Sequence, residues 1–425
     1  MVEQKPEPFE ADELPDEPES EAISPEPAET RRAAKPRVVV AIVDTGIYPY
    51  HPVFRATRNV EPVPGAQPIQ LTLGEGGSGL EHDGLVWRRL EYNQLYSFPG
   101  TIIAGAISFG QPRNFLSEGT NRSGPPILEN VVDGYHGHGT AVASTLARFG
   151  PNVDLVLVQD DFRDSPQNAY EWILQQPWID IVSISRGSYT EIDYRPEESK
   201  TVRMTKRLVE AGKVVFLSAG NNPVPSTVAV SGMPWVISIG GASSAHRSQA
   251  ILASTFPDFV ADYWAEAAQA GTNRTGVTMG TSLAAPAAAA VAAEILLKLR
   301  EATGTTTGTR GLLIDASGPG MLEGGFTNHE LRALLNTTAA YWYEPSAKAP
   351  NASLRCDVVF CEGVLAVPVG PAAWLQMGWG YLGPEIIDLA VNVALGLAEP
   401  PRKPAAAEDF MRQHYALRER LWTGG

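Results

Sequence analysis

The sequence predicts an α/β fold of three layers, a mostly parallel central sheet with helices on both faces. Three observations lead there. First, five short runs are apolar throughout instead of alternating: RVVVAIVD (37–44), DLVLVQ (154–159), DIVSIS (180–185), KVVFLSAG (213–220) and WVISIGG (235–241). A strand buried on both faces reads this way. Second, helix-like stretches fall between them: TAVASTLARF (140–149), NAYEWILQQ (168–176) and KTVRMTKRLVEAG (200–212). Buried strands alternating with helices make a parallel sheet. Third, SLAAPAAAAVAAEILLKLR (282–300) is small and apolar nearly all round, as a helix crossing an interior must be.

Taken in order, residues 1–36 are rich in Glu and Pro and poor in aromatics. They cannot bury enough apolar surface to offset their ordering entropy, so a disordered acidic tail is expected. The core opens abruptly at Arg37 and runs to about residue 395 as one domain. Residues 61–130 have another texture, with LGEGGSG and scattered charges, and read as an inserted lobe or long loops. Smaller insertions are expected at 301–325 and 344–370. Pro286 falls in or near the first turn of the apolar helix, where a missing N–H matters least. Residues 396–425 open with EPPRKPAAAED and read as a C-terminal tail with a short surface helix. The sequence has 40 Gly and 34 Pro for turns, 44% hydrophobic residues for a core, and no internal repeat.

Charge and composition exclude several classes. The formal charge is −15, and residues 1–30 hold 11 Asp/Glu against one Lys. No basic face is available, so no nucleic-acid partner is expected. No run approaches about 18 consecutive apolar residues, so no membrane-spanning helix is expected. The N-terminus lacks the basic and apolar regions of a signal peptide, which predicts a cytoplasmic protein, or one exported by a route not visible here. Two cysteines, Cys356 and Cys361, either bridge a small loop or stay as thiols. The pair His136 and His138 has no further Cys or His clustered near it, so no metal site is assigned.

Four short motifs carry chemistry. VAIVDTGI (40–47) ends a buried strand in Asp44. GHGTAVA (137–143) sets His138 between glycines before a helix. SAGNN (218–222) places Asn221 just past a strand, and GTSLAAP (280–286) opens the apolar helix with Ser282. Acyl transfer to a serine needs a base for its proton, a carboxylate to orient that base, and donors facing the oxyanion. The four motifs supply a residue for each task. Singly each has a plainer reading: a turn aspartate, a turn asparagine, a serine N-cap.

Together, DTG, HGHGT, SAGN and GTSLAAP resemble the signature blocks of the subtilisin-like (subtilase) family of serine peptidases, in that family's Asp, His, Ser order. IYPYHPVF (47–54), FTNHELRALLNTTA (326–339) and GWGYLG (378–383) are similar to further family segments. The resemblance implies a subtilisin-like fold and a serine endopeptidase with Asp44, His138 and Ser282 as triad. It also implies Asn221 as oxyanion donor with Thr281 supporting. ISRGS (184–188) resembles the family's substrate-pairing edge strand, which assigns Ser185, Arg186 and Gly187 to substrate. The partner implied is a peptide or protein. No cofactor is required, and structural calcium is compatible with the family but not placed. Several features depart from the pattern. Asp44 and His138 are 94 residues apart, against about 32 in subtilisin. The stretch 254–272 lacks the Ala-Pro-Gly turn common before the serine motif, and Arg186 stands where an apolar residue is common. Two alternatives remain at this level: a peptide ligase or macrocyclase using the same triad, and an inactive binding module on the same scaffold.

Overall fold

Unbroken runs of Val, Ile and Leu favour extended backbone and offer water no polar face, so both faces must be covered. The computed structural model of the chain meets that demand with a layered sheet. It describes residues 35–73, 83, 90–109, 137–160, 167–185, 189–190, 200–221, 227–228, 230–243, 257–305, 326–341, 377–403 and parts of 405–416. The strands are β1 Val39–Asp44, β2 Gln67–Pro68, β3 Tyr96–Ser97, β4 Ile103–Ser108, β5 Asp154–Gln159, β6 Ile181–Ile184, β7 Tyr189–Thr190, β8 Val214–Ser218, β9 Thr227–Val228, β10 Ile237–Ala242, β11 Phe259–Asp262, β12 Trp264–Ala268 and β13 Thr275–Met279. The helices are α1 His138–Phe149, α2 Gln167–Leu174, α3 Lys200–Glu210, α4 Thr281–Thr303, α5 Asn328–Thr338 and α6 Ile387–Ala394.

Among the described residues the main sheet runs β11-β10-β8-β6-β1-β5-β4-β3-β2. All its pairings are parallel except β3 with β4. β1 lies between β5 and β6, so the connections beyond it diverge and leave a crevice at the carboxyl ends. Val40, Ile42, Leu155, Leu157 and Phe216 face α1 and α4. Val39, Ala41, Val156, Val158 and Val182 face the opposite layer, where α2 and α3 pack on each other.

The alanine run of α4 lets it approach the sheet and α1 closely. Its best window has mean hydropathy 1.6, enough in length and composition to cross a bilayer, yet 89% of that window is buried inside the fold. Its two buried charges are paired. Glu294 accepts from the backbone and side chain of Asn152, and Arg300 binds the Asp180 carboxylate in a two-point fork at 2.6 and 3.0 Å. Thr327 and Glu330 close a reciprocal cap at the start of α5.

Two segments differ from the sequence reading. Within 61–130, β4 is a buried core strand paired with β5, and β3 and β2 continue the sheet beyond it. Its IAGAIS sequence is short on bulk because the lobe packs tightly there: a Cβ on Gly105 would come 2.7 Å from Val63. At the other end, Met411 and Tyr415 are buried in the main core where a surface tail is expected. The Tyr415 hydroxyl donates to Asp258 at 2.5 Å, and its ring lies under Arg332, 4.8 Å from centroid to guanidinium. The acidic tail to residue 34, much of the 61–130 insertion, and the segments 306–325 and 344–370 lie outside the described residues. His136, Arg186, Gly187, Cys356 and Cys361 lie outside them too.

Candidate active site

The carboxyl ends of β1, β6 and β8 and the starts of α1 and α4 meet in the crevice. Asp44 is the last residue of β1 and 1% exposed. Its Oδ1 accepts two bonds, from the Thr45 N–H at 2.7 Å and from His138 Nδ1 at 2.8 Å. A carboxylate only accepts, so Nδ1 carries the proton and Nε2 is left as the basic nitrogen. The His138 side chain is 45% exposed and can reach an incoming substrate.

His138 opens α1, whose N-cap Gly137 carries no capping side chain and sits at φ 67°. The cap comes from elsewhere in the chain. Thr45 Oγ1 accepts the Gly139 N–H at 3.0 Å, and Thr140 Oγ1 accepts the Tyr48 N–H at 2.9 Å. The approach is close enough to require glycine: a Cβ on Gly139 would meet the Gly46 carbonyl at 2.1 Å. The segment after Asp44 and the helix carrying His138 are therefore one packed unit.

Ser282 is the second residue of α4, following Gly280 at φ 148°. It makes a reciprocal pair with Ser185, the residue just past β6. The Ser282 hydroxyl donates to the Ser185 carbonyl at 3.2 Å, and the Ser185 hydroxyl donates to the Ser282 carbonyl at 2.7 Å. The second bond has a reason in the sequence. A helical carbonyl takes its bond from the residue four ahead, and for Ser282 that residue is Pro286, which has no N–H. Ser185 supplies the missing donor, so the proline of the motif frees a carbonyl that ties α4 to the carboxyl end of β6.

Asn221 follows β8. Its Oδ1 accepts from both the backbone N–H and the Oγ1 of Thr281, each at 2.9 Å. Thr281 Oγ1 accepts in turn from the Gly220 N–H at 3.2 Å. Two donors on the oxygen fix which way the amide faces, so Nδ2 is presented on the other side. Gly280 leaves room for it, since a Cβ there would stand 3.4 Å from Nδ2. The structure thus brings Asp44 and His138 together, joins Ser282 to Ser185, and joins Thr281 to Asn221. Sequence reasoning did not find Thr45 as a cap for α1, nor Ser185 as a partner of the Ser282 carbonyl. Among the described residues no group of three or more His, Cys, Asp or Glu is gathered as a metal site would need.

Comparison with known proteins gives the family. The sequence model of the subtilase family matches residues 35–357, and the chain belongs to that family of serine peptidases. A subtilisin-like protease of Arabidopsis thaliana is 25% identical over 226 residues, covering 50% of this chain and 28% of the relative. The major intracellular serine protease of Bacillus subtilis is 30% identical over 108 residues, covering 22% of this chain and 32% of the relative. The matches thus span about a third or less of either relative. Among solved structures, the prenylagaramide maturation protease is similar at a TM-score of 0.46 and 15% identity, over 84% of this chain and 94% of that one. A lanthipeptide protease is similar at 0.47 and 16%, over 82% and 86%.

Proposed function

We propose that this chain is a serine endopeptidase that cleaves peptide bonds through an acyl-enzyme, with Asp44, His138 and Ser282 as its triad. The observation that carries the reading is the 2.8 Å bond from His138 Nδ1 to the buried Asp44 carboxylate, with Ser282 opening α4, the helix that packs on α1. His138 Nε2 takes the Ser282 proton as Oγ attacks the substrate carbonyl. The resulting oxyanion is met by the Ser282 N–H and by Asn221 Nδ2, whose direction Thr281 sets. His138 then protonates the leaving amine, and water releases the acyl group by the same steps reversed. The substrate is an extended peptide or protein segment, laid along Ser185 and Gly187 as an added strand.

The test uses a phosphonate serine probe and a mixed peptide pool. The probe is expected to label Ser282, and the products are expected to be hydrolysed fragments. Ser282→Ala is expected to remove both labelling and turnover while leaving the melting temperature near wild type. Turnover by Ser282→Ala would overturn the assignment, and joined rather than hydrolysed products would overturn the endopeptidase reading.

A further inference from the structure

We propose that Gln159 is a positioning residue for the Asp44–His138 pair, acting through Thr45; the inference rests on the triad reading above. Thr45 spends each of its polar groups on the site. Its N–H holds Asp44 Oδ1 at 2.7 Å, and its Oγ1 holds the Gly139 N–H at 3.0 Å. Its carbonyl accepts from Gln159 Nε2 at 2.9 Å. The first bond aims the carboxylate and the second ties it to the helix that carries the imidazole. Gln159 supplies the third point and fixes the Thr45 peptide that makes the other two.

The sheet register explains why this position can do so. Asp44 and Gln159 are paired across β1 and β5, and Gln159 and Ser108 across β5 and β4, so their side chains share the α1 face. The carboxyl ends of three adjacent strands therefore carry a polar row on the core side, where Ile42, Leu157 and Ala106 fill the same face two residues earlier. An aliphatic residue would serve packing as well at the rim. A glutamine there places a donor on the Thr45 carbonyl. Asp160 also touches this unit, its N–H donating to the Asp44 carbonyl at 3.2 Å.

The experiment compares Gln159→Leu and Gln159→Glu with wild type in the full chain. Both lose the amide donor. Both are expected to lower kcat roughly 10-fold, the cost of a loosened constellation, with KM little changed. The acidic limb of kcat/KM separates them. With Leu, His138 loses part of its aligned carboxylate, the imidazolium is less stabilised, and the limb moves to lower pH. With Glu, a second carboxylate beside Asp44 stabilises the imidazolium, and the limb moves to higher pH. The low-field proton resonance of the His138 Nδ1–H is expected to shift in both variants, without any substrate. Variants with wild-type kcat, an unmoved limb and an unmoved Nδ1–H resonance would overturn the role. So would a lowered melting temperature with unchanged activity per folded molecule. His138→Ala and Ser282→Ala run in parallel: if they keep activity, the triad reading fails; if they lose it while Gln159 variants are silent, only this inference fails.

Discussion

At the scale of single residues, the site's chemistry rests on a few bonds whose removal has distinct signatures. Asn221→Ala removes a donor that matters most once charge develops, so kcat is expected to fall roughly 10²-fold or more with KM nearly unchanged. Thr281→Val keeps the shape but removes the hydroxyl that holds Asn221 Oδ1 and the Gly220 N–H. It is expected to lower kcat in the same pattern, by less. A KM effect alone in either variant would show that Asn221 binds the ground state. Ser185→Ala leaves the Ser282 carbonyl with neither Pro286 nor a hydroxyl, an unsatisfied group costing about 1–3 kcal/mol by denaturant unfolding. Asp44, His138, Asn221 and Ser282 were legible in the sequence because each sits in a short motif with glycine or threonine beside it. The links from Ser185 to Ser282 and from Gln159 to Thr45 were not. They join positions 97 and 114 residues apart, and no local pattern announces a side chain that serves a distant carbonyl.

At the scale of elements, two helices bear the site and each has a vulnerable contact. Gly139→Ala improves intrinsic helix propensity by up to about 1 kcal/mol, yet its Cβ would collide with the Gly46 carbonyl. Separation of α1 from the Asp44 loop is expected to win, lowering kcat/KM roughly 10²-fold in a protein that still melts cooperatively. For α4 the anchor is Arg300, which bridges Asp180 at the amino end of β6 and the Arg37 carbonyl before β1. Arg300→Leu takes the guanidinium from a buried carboxylate that keeps the Val39 N–H at 3.1 Å, and is expected to cost about 3 kcal/mol in urea unfolding. The parallel sheet and its long helix were legible because the apolar runs are unbroken. β4 was not, because Gly105 and its alanines weaken the strand signal where the lobe needs close approach. Short bridging strands such as β2 and β3 leave almost no periodicity to read.

At the scale of the whole molecule, one buried amine links stability to pH. Burial pulls the Lys213 ammonium down to about 8, with nearby Asp180 opposing the shift. Its Nζ donates to the carbonyls of Gln176 and Ile179, and a neutral amine still has the two protons these bonds need. An unfolded lysine titrates near 10.4, so between about pH 8 and 10 the unfolded chain holds more protons than the folded one. Stability from this group is therefore expected to rise with pH across that window, by up to about 3 kcal/mol, and to be flat below it. Lys213→Met should erase that rise in unfolding curves taken at successive pH values. The burial of Met411 and Tyr415 was not legible, since the apolar residues after EPPRKP are scattered among charges and nothing local says which of them reach the core. Its consequence is one of timing. Synthesis proceeds at about 5–20 residues per second, so Tyr415 emerges on the order of ten seconds after Ser282. When it arrives, its hydroxyl adds to a contact in which the Arg332 guanidinium already lies 3.5 Å from the Asp258 carboxylate. The C-terminal segment is therefore the last piece of the core to be made, after every residue of the proposed triad.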